Sequence, residues 1–533
     1  MRGGTSRPRA TPGRRQQQRT AAAPYLAIVG LGAVLLPGYH QHLTPDGISY
    51  LSVAEHYAAG RLTEAVNGYW SPLFSWAMTP LIAVGVPSTL AAKIVTLLAA
   101  LGVLWAIRRS TRTIGVSEPT VTLVSWAMVL PLIASAYAFI TPDLIVALPV
   151  LLYVERLARP AGADAIASGA WAGVWAGLAY LTKLFALPFV LVHLLVAAGL
   201  TVRRRGTAAT IRTAGVALVV FGVIVGGWSA ALTVKYGYVT AGTAASTNID
   251  YLTPGSPGNA SQWAGPLPPP HEHAVSAWED LPLAADRAEV SVAPGEERDD
   301  APGPSLIGRA FDQMDDLVGA AFGWAPVVVL ALAAPFLLRL KRPGRRGERH
   351  PIAEDPTPAL LFAAGAAVWA GGVLATYAQA RYLWAALLLL TPLAGAAIDA
   401  LRVARPRDLW WQVAAAVLIV GMVPGAIEQL RSDWGVSDDV VEVAGEVESQ
   451  VDLRDTRVAS TSDWAAMLGF CHHLGCRYHG IPGPSETGDE LAADLEEQDI
   501  EYLVVRGAVP ADVPVGDQVA SFSGGALTIY ELD

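Results

Sequence analysis

Apolar runs of about twenty residues, each long enough to cross the hydrocarbon core of a bilayer, recur from residue 21 to residue 428 with arginine clusters between them. Inside lipid only a helix or a closed barrel satisfies its own backbone, and runs of this length are helical. Only 16% of the 533 residues are charged and 53% are hydrophobic, with a mean hydropathy of +0.38. A soluble chain would carry roughly a quarter charged residues. This pattern excludes a disordered chain and an ordinary cytosolic enzyme, and the two cysteines exclude a disulfide-stapled mini-domain. The fold class expected is an α-helical polytopic membrane protein with a small soluble tail.

Cytoplasmic loops should hold the Arg and Lys. Six arginines in the first twenty residues (Arg2, Arg7, Arg9, Arg14, Arg15 and Arg19) place segment 1–20 inside. The run Ala21–Pro37 lacks a small-x-small cleavage site after it and reads as an uncleaved anchor. If Trp70–Val86 and Ser88–Ile107 both crossed, Arg108, Arg109 and Arg112 would fall outside and every later basic loop would invert. If Trp70–Val86 lies at the interface or re-enters, all five basic loops fall inside: Arg108–Arg112, Arg156–Arg159, Arg203–Arg212, Lys341–Arg349 and Arg402–Arg407. The second arrangement predicts about eleven spans. After the first they lie near 88–107, 117–138, 142–157, 166–182, 184–202, 212–234, 320–340, 358–376, 382–400 and 410–428. The membrane domain is then 21–428, with outer loops 38–87 and 235–316, and residues 429–533 form an extracytoplasmic domain.

That tail differs in kind. It carries 21 acidic against 5 basic residues, a balance of −16, which leaves the rest of the chain at +6 for a total of −10. So acidic a segment is repelled by anionic lipid and by nucleic acid, and no nucleic-acid partner is expected. Helical patterns at Val440–Val451, Asp463–Leu474 and Glu490–Gln498 alternate with strand patterns at Arg457–Ser460, Tyr502–Val505 and Leu527–Tyr530, which predicts a small α/β domain. Cys471 and Cys476, on the oxidising side, read as a short local disulfide; the neighbouring His472, His473 and His479 do not complete a familiar zinc set.

Chemistry-bearing residues gather at the expected outer face. In Thr44-Pro45-Asp46-Gly47-Ile48-Ser49-Tyr50, Thr44 suits an N-cap, Pro45 the first helical position, and Asp46 the positive end of the dipole. Helical spacing lines up Asp46, Tyr50, Val53 and Tyr57. Thr141-Pro142-Asp143 puts a second carboxylate at the same level. Capping explains either one alone. Two at one level suit general-base chemistry or a divalent cation, Mg or Mn, held by Asp46 and Asp143. Lys183 and Arg381, at that boundary, can hold a lipid-linked phosphate or simply snorkel. Tyr69, Trp70 and Tyr382 belong to an aromatic belt on which sugar rings also stack. In the long loop, His271 and His273, with Trp278, Glu279 and Asp280 close behind, are candidate substrate contacts. His-x-His near acids also suits a transition metal, although no third ligand is evident in the sequence.

The ordered set resembles the GT-C superfamily of integral-membrane glycosyltransferases, in the branch of protein O-mannosyltransferases and aminoarabinose transferases. The pieces that carry the resemblance are Asp46–Tyr50, Asn67-Gly68-Tyr69-Trp70-Ser71-Pro72-Leu73, Thr141–Asp143, Gly177–Lys183, Ser276–Asp280 and Arg381-Tyr382-Leu383. The resemblance implies a donor sugar on a polyprenyl phosphate, inversion at the anomeric carbon, Asp46 as base, Asp143 assisting, and Lys183 with Arg381 facing the departing phosphate. It leaves the acceptor (protein, lipid or glycan) open. Two departures stand out: Gly47 follows Asp46 where protein O-mannosyltransferases carry an acidic pair, and the oligosaccharyltransferase signature Trp-Trp-Asp-Tyr-Gly is absent. The competing readings are a transporter or lipid flippase, which calls for ionisable groups near the midplane, and a catalytically silent relative.

Overall fold

The computed structural model describes residues 12–159, 164–252, 267–287, 323–340, 351–376, 379–461, 464–480, 488–506, 516–522 and 527–532. The basic loop Lys341–Arg349 and most of the long loop 235–316 lie outside the described residues. The first eleven helices are α1 (Pro12–Leu35), α2 (Pro45–Ala58), α3 (Leu62–Ala65), α4 (Pro72–Ala83), α5 (Ser88–Thr113), α6 (Glu118–Ala127), α7 (Val129–Ala138), α8 (Asp143–Ala158), α9 (Ala165–Thr182), α10 (Ala186–Arg205) and α11 (Thr207–Tyr236). Further helices cover Ala325–Leu337, Thr357–Ala375, Trp384–Ala404, Trp410–Gly421 and Val423–Ser432.

Among the described residues, eight helical segments are long and apolar enough to cross a bilayer, and the chain is a multi-pass membrane protein. The other three expected spans coincide with α8 (16 residues), α9 (18 residues) and Ala325–Leu337 (13 residues), which fall short in length or hydropathy. The run Trp70–Val86 yields only the 12-residue α4. It lies against α2, with the Ser75 hydroxyl donating to the Tyr50 carbonyl at 3.0 Å. A helix that short cannot span.

Lipid provides no hydrophobic drive between helices, so close packing has to hold the bundle together. Gly169, Gly173 and Gly177, one turn apart on α9, let α11 approach. A Cβ on Gly169 would lie 2.5 Å from the Thr213 carbonyl oxygen, and one on Gly173 2.6 Å from that of Ala217. The segment Ala380–Ala404 runs through the middle, with 94% of its apolar 18-residue window buried. The described basic loops collect at one end. There Arg109 and Arg159 flank Glu155 at 3.1 and 3.0 Å, Arg205 donates to the Leu157 carbonyl at 2.7 Å, and Arg402 meets Asp399 at 3.1 Å. This is the arrangement expected if Trp70–Val86 stays off the spanning path, and the 12-residue α4 is too short to cross.

At the opposite end sits the tail, with a five-stranded sheet of order β2-β1-β3-β5-β4. Its strands are β1 (Arg457–Ser460), β2 (Arg477–Tyr478), β3 (Tyr502–Arg506), β4 (Gln518–Phe522) and β5 (Leu527–Glu531). The β2, β1 and β3 strands run parallel, and β3, β5 and β4 antiparallel. Its apolar core is continuous with the first outer loop: Leu51, Trp70 and Phe74 share one cluster with Val458, Met467 and Phe470. Gly38 allows the Trp434 ring to close in, since a Cβ there would meet it at 2.6 Å. Cys471 and Cys476 are paired, with Cα atoms 4.6 Å apart, inside the range a disulfide needs.

Candidate functional site

Helix α2 starts as its sequence dictates. The Thr44 Oγ1 accepts from the Gly47 amide at 3.2 Å, Pro45 opens the helix, and Asp46 occupies the first turn. Gly47 is needed for a different reason: a Cβ there would lie 2.8 Å from the Ile140 Cβ and 2.9 Å from Thr44 Oγ1. The close approach presses α2 onto the turn before Asp143, and it explains why no acidic side chain follows Asp46. Asp143 begins α8, almost fully buried at 3% exposure, Lys183 follows the end of α9, and Arg381 lies in a short 3-10 turn before Trp384–Ala404.

Four segments far apart in sequence thus converge. Arg381 donates through Nη2 to the Asp46 carboxylate, and its Nε lies 3.8 Å from Asp143 Oδ2. Lys183 donates to Asp143 and sits 3.6 Å above the Tyr382 ring. The Arg381 guanidinium is aimed by Gln379, whose Oε1 accepts from Nε at 2.8 Å, and lies over Phe139 and Tyr382, each at 5.3 Å. The two carboxylates thus face one guanidinium and one amine. A divalent cation between Asp46 and Asp143 would have to displace Arg381 or Lys183, so these residues do not fit a resident Mg or Mn ion.

The other candidates divide. Tyr50 is buried in the aromatic core, edge-on to Trp70 at 5.0 Å; burial, with Asp143 and Asp46 nearby, pushes its hydroxyl well above the ordinary tyrosine range. Trp70 donates from Nε1 to the Trp278 carbonyl at 3.2 Å, and Tyr69 from its hydroxyl to Asn248 at 2.9 Å. Trp278 stands between Tyr69 (5.6 Å), Trp70 (5.9 Å) and Trp464 of the tail (6.3 Å). Asp280 is buried against the Lys235 ammonium at 3.0 Å and the Tyr236 hydroxyl at 2.7 Å.

His271, His273 and Glu279 form a second cluster, apart from the Asp46–Arg381 pair. Glu279, 1% exposed, has the Nε2 atoms of His56 and His271 at 2.9 and 3.0 Å from its Oε1, and its Oε2 accepts from Ser52. Burial pushes this carboxyl up, yet the flanking imidazoles hold it down at about 2. Glu64 Oε2 lies 3.2 Å from His273 Nδ1 and 3.7 Å from His271 Nδ1. Sequence reading missed His56 and Glu64. Helical spacing gives His56 no link to a loop more than two hundred residues away, and only the three-dimensional return of segment 267–280 supplies one. That segment also extends the tail's sheet: the Tyr478 amide donates to the Val275 carbonyl at 2.7 Å, the Leu267 amide donates to the His479 carbonyl, and Ser276 bridges Tyr478 in parallel. It acts as a strap from the tail to the first outer loop.

An apolar groove of about 450 Å³ between Leu330, Leu337, Leu401 and Trp410 holds none of this chemistry; it lies toward the basic end, where Arg405 lines it.

Residues 69–285 match the model of glycosyltransferase family 87. Among solved structures, ArnT from Cupriavidus metallidurans in the apo state is similar over 95% of this chain and 97% of its own, at 13% identity and a TM-score of 0.61. The same protein bound to undecaprenyl phosphate gives 14% identity, 96% and 98% coverage and a TM-score of 0.60. The oligosaccharyltransferase AglB from Archaeoglobus fulgidus, in complex with an inhibitory peptide and a dolichol-phosphate, is 10% identical over 93% of this chain and 70% of its own, with a TM-score of 0.55. No curated protein matches the chain. At these identities the likeness is one of fold: the chain has the GT-C glycosyltransferase fold.

Proposed function

From a GT-C glycosyltransferase fold, we propose that this protein transfers a single sugar from a polyprenyl-phosphate donor to a hydroxyl acceptor at the extracytoplasmic face of the plasma membrane, with inversion. The observation that carries the reading is the convergence of Asp46, Asp143, Lys183 and Arg381 at the end of the bundle that bears the tail. The structures of similar fold with undecaprenyl phosphate and dolichol-phosphate bound support a lipid phosphate as the donor's handle.

The chemistry follows from the pairing. A donor phosphate competes with Asp46 for the Arg381 fork, which suits phosphate as well as carboxylate. The released Asp46 carboxylate, a quarter exposed, is then free to take the acceptor's hydroxyl proton. The acceptor oxygen forms its bond to the anomeric carbon as the bond from that carbon to the phosphate oxygen breaks. The departing polyprenyl phosphate keeps the electron pair, and Arg381 and Lys183 face the charge it develops. Asp143 holds Lys183 in place over Tyr382.

The test is incorporation of label from a panel of polyprenyl-phosphate sugars into membranes containing wild-type protein or Asp46→Asn. Transfer from one donor, falling by roughly 10²- to 10⁴-fold in the variant, is expected. Equal incorporation by both proteins would remove Asp46 as the base.

A further inference from the structure

We propose that His56, His271 and Glu279 bind a transition-metal dication of the zinc class, which fastens the strap 267–280 to α2. Two imidazole nitrogens and one carboxylate oxygen, all within 4.8 Å of one another, form a donor set suited to zinc rather than to magnesium or calcium. Ligands on a tetrahedral zinc stand about 3.3 Å apart, close to the 2.9 and 3.0 Å separating Glu279 Oε1 from the two Nε2 atoms.

His271 carries the argument. Both its ring nitrogens are buried and neither makes an aligned hydrogen bond, although Nε2 faces Glu279 and Nδ1 faces Glu64. A neutral imidazole has one N–H and one lone pair, so in either tautomer a lone pair confronts a carboxylate. A metal on Nε2 resolves this by taking that lone pair and leaving Nδ1–H to Glu64. Glu64 also lies 3.9 Å from His56 Nδ1, so one carboxylate can orient both histidines, the outer-shell arrangement that metal-bound imidazoles ordinarily have. Arg61 now donates to His56 Nδ1 at 3.0 Å. With Nε2 metallated it would turn wholly to Glu64, already 3.2 Å from its Nε. The Glu279 Oε2 is held by Ser52, which fixes the carboxylate for coordination through Oε1.

The site is structural, and its test needs no sugar donor. Full-length protein in detergent is stripped with chelator, reloaded with Zn²⁺ or Co²⁺, and assayed for bound metal, visible cobalt absorption and Tm. About one zinc per chain is expected, with a four- or five-coordinate cobalt spectrum and a Tm that falls on chelation. His271→Ala and Glu279→Gln should weaken zinc binding by at least roughly tenfold, while the exposed neighbour Glu272→Gln binds as wild type does. Failure of the wild type to retain zinc and to give a cobalt spectrum would overturn the site, leaving a protonated His271 between its two acids. So would equal zinc binding by all three variants, which would put the metal elsewhere. Because the wild-type cobalt spectrum requires no variant to fold, and no readout involves glycosyl transfer, the fate of this site is independent of the transfer reaction.

Discussion

Two charged clusters occupy the same end of the bundle and treat their carboxylates differently. Asp46 and Asp143 each meet a basic side chain, and Asp46 remains a quarter exposed. Glu279 is sealed between two imidazoles. A guanidinium can exchange one anion for another, so on the proposed function a phosphate opens the first cluster. A buried carboxylate held between two imidazoles suits a fixed link between segments rather than anion exchange. On the proposed function, chemistry and fastening are divided between neighbouring clusters.

That division can be broken by experiment. Glu279→Ala should destabilise the protein by about 3–5 kcal/mol, the usual cost of removing one partner of a buried ion pair, while leaving affinity for a polyprenyl phosphate unchanged; thermal melts and lipid-phosphate binding measure the two. Arg381→Lys should do the reverse, lowering transfer about a hundredfold because an ammonium cannot make the bidentate fork, with little change in Tm. If either variant moved both quantities together, the two clusters would be one. Gly47→Ala tests how tightly the first cluster is assembled: the new methyl meets Ile140, and overpacking of this kind costs about 1–3 kcal/mol, with transfer falling as Asp46 is pushed from Arg381.

The smallest effect at neutral pH concerns His479, at the strap's other attachment. Burial holds its imidazole down at about 4, against a hydrogen bond with Gln498 that pulls upward. The unfolded chain, titrating near 6.5, therefore binds the extra proton first. Stability is full above about pH 6.5 and is lost as pH falls toward 4, by at most about 1.4 kcal/mol per pH unit. His479→Gln should flatten the Tm profile across that window.

What was legible in the sequence follows from period and spacing. The Thr44 cap, the α2 face and the span-length runs are local patterns, and so are three strands of the tail sheet. Placing Trp70–Val86 off the spanning path came from arginine distribution, and the 12-residue α4 agrees. The missed strands, β2 and β4, lie at the two edges of the sheet; β2 has only two residues, too few to show an alternation. The spacing of Gly169, Gly173 and Gly177 was on the page, but a glycine's role as a contact surface appears only once α11 lies against it. The pairing of Arg381 with Asp46, and of His56 with Glu279, depends on chain segments returning from hundreds of positions away, which no local pattern encodes.

The strap has a consequence for biogenesis. Its backbone partners Tyr478 and His479 belong to the tail and leave the ribosome long after the strap itself. Until they arrive, residues 267–276 must wait at the membrane surface with their sheet hydrogen bonds unmade, and the β2 edge has no neighbour on its outer side. A translation product ending before Arg477 would therefore possess every catalytic candidate and still lack the order in which they are held. A chimera that exchanged tails between relatives would have to exchange the strap as well, because one edge of that sheet is written into an earlier part of the chain.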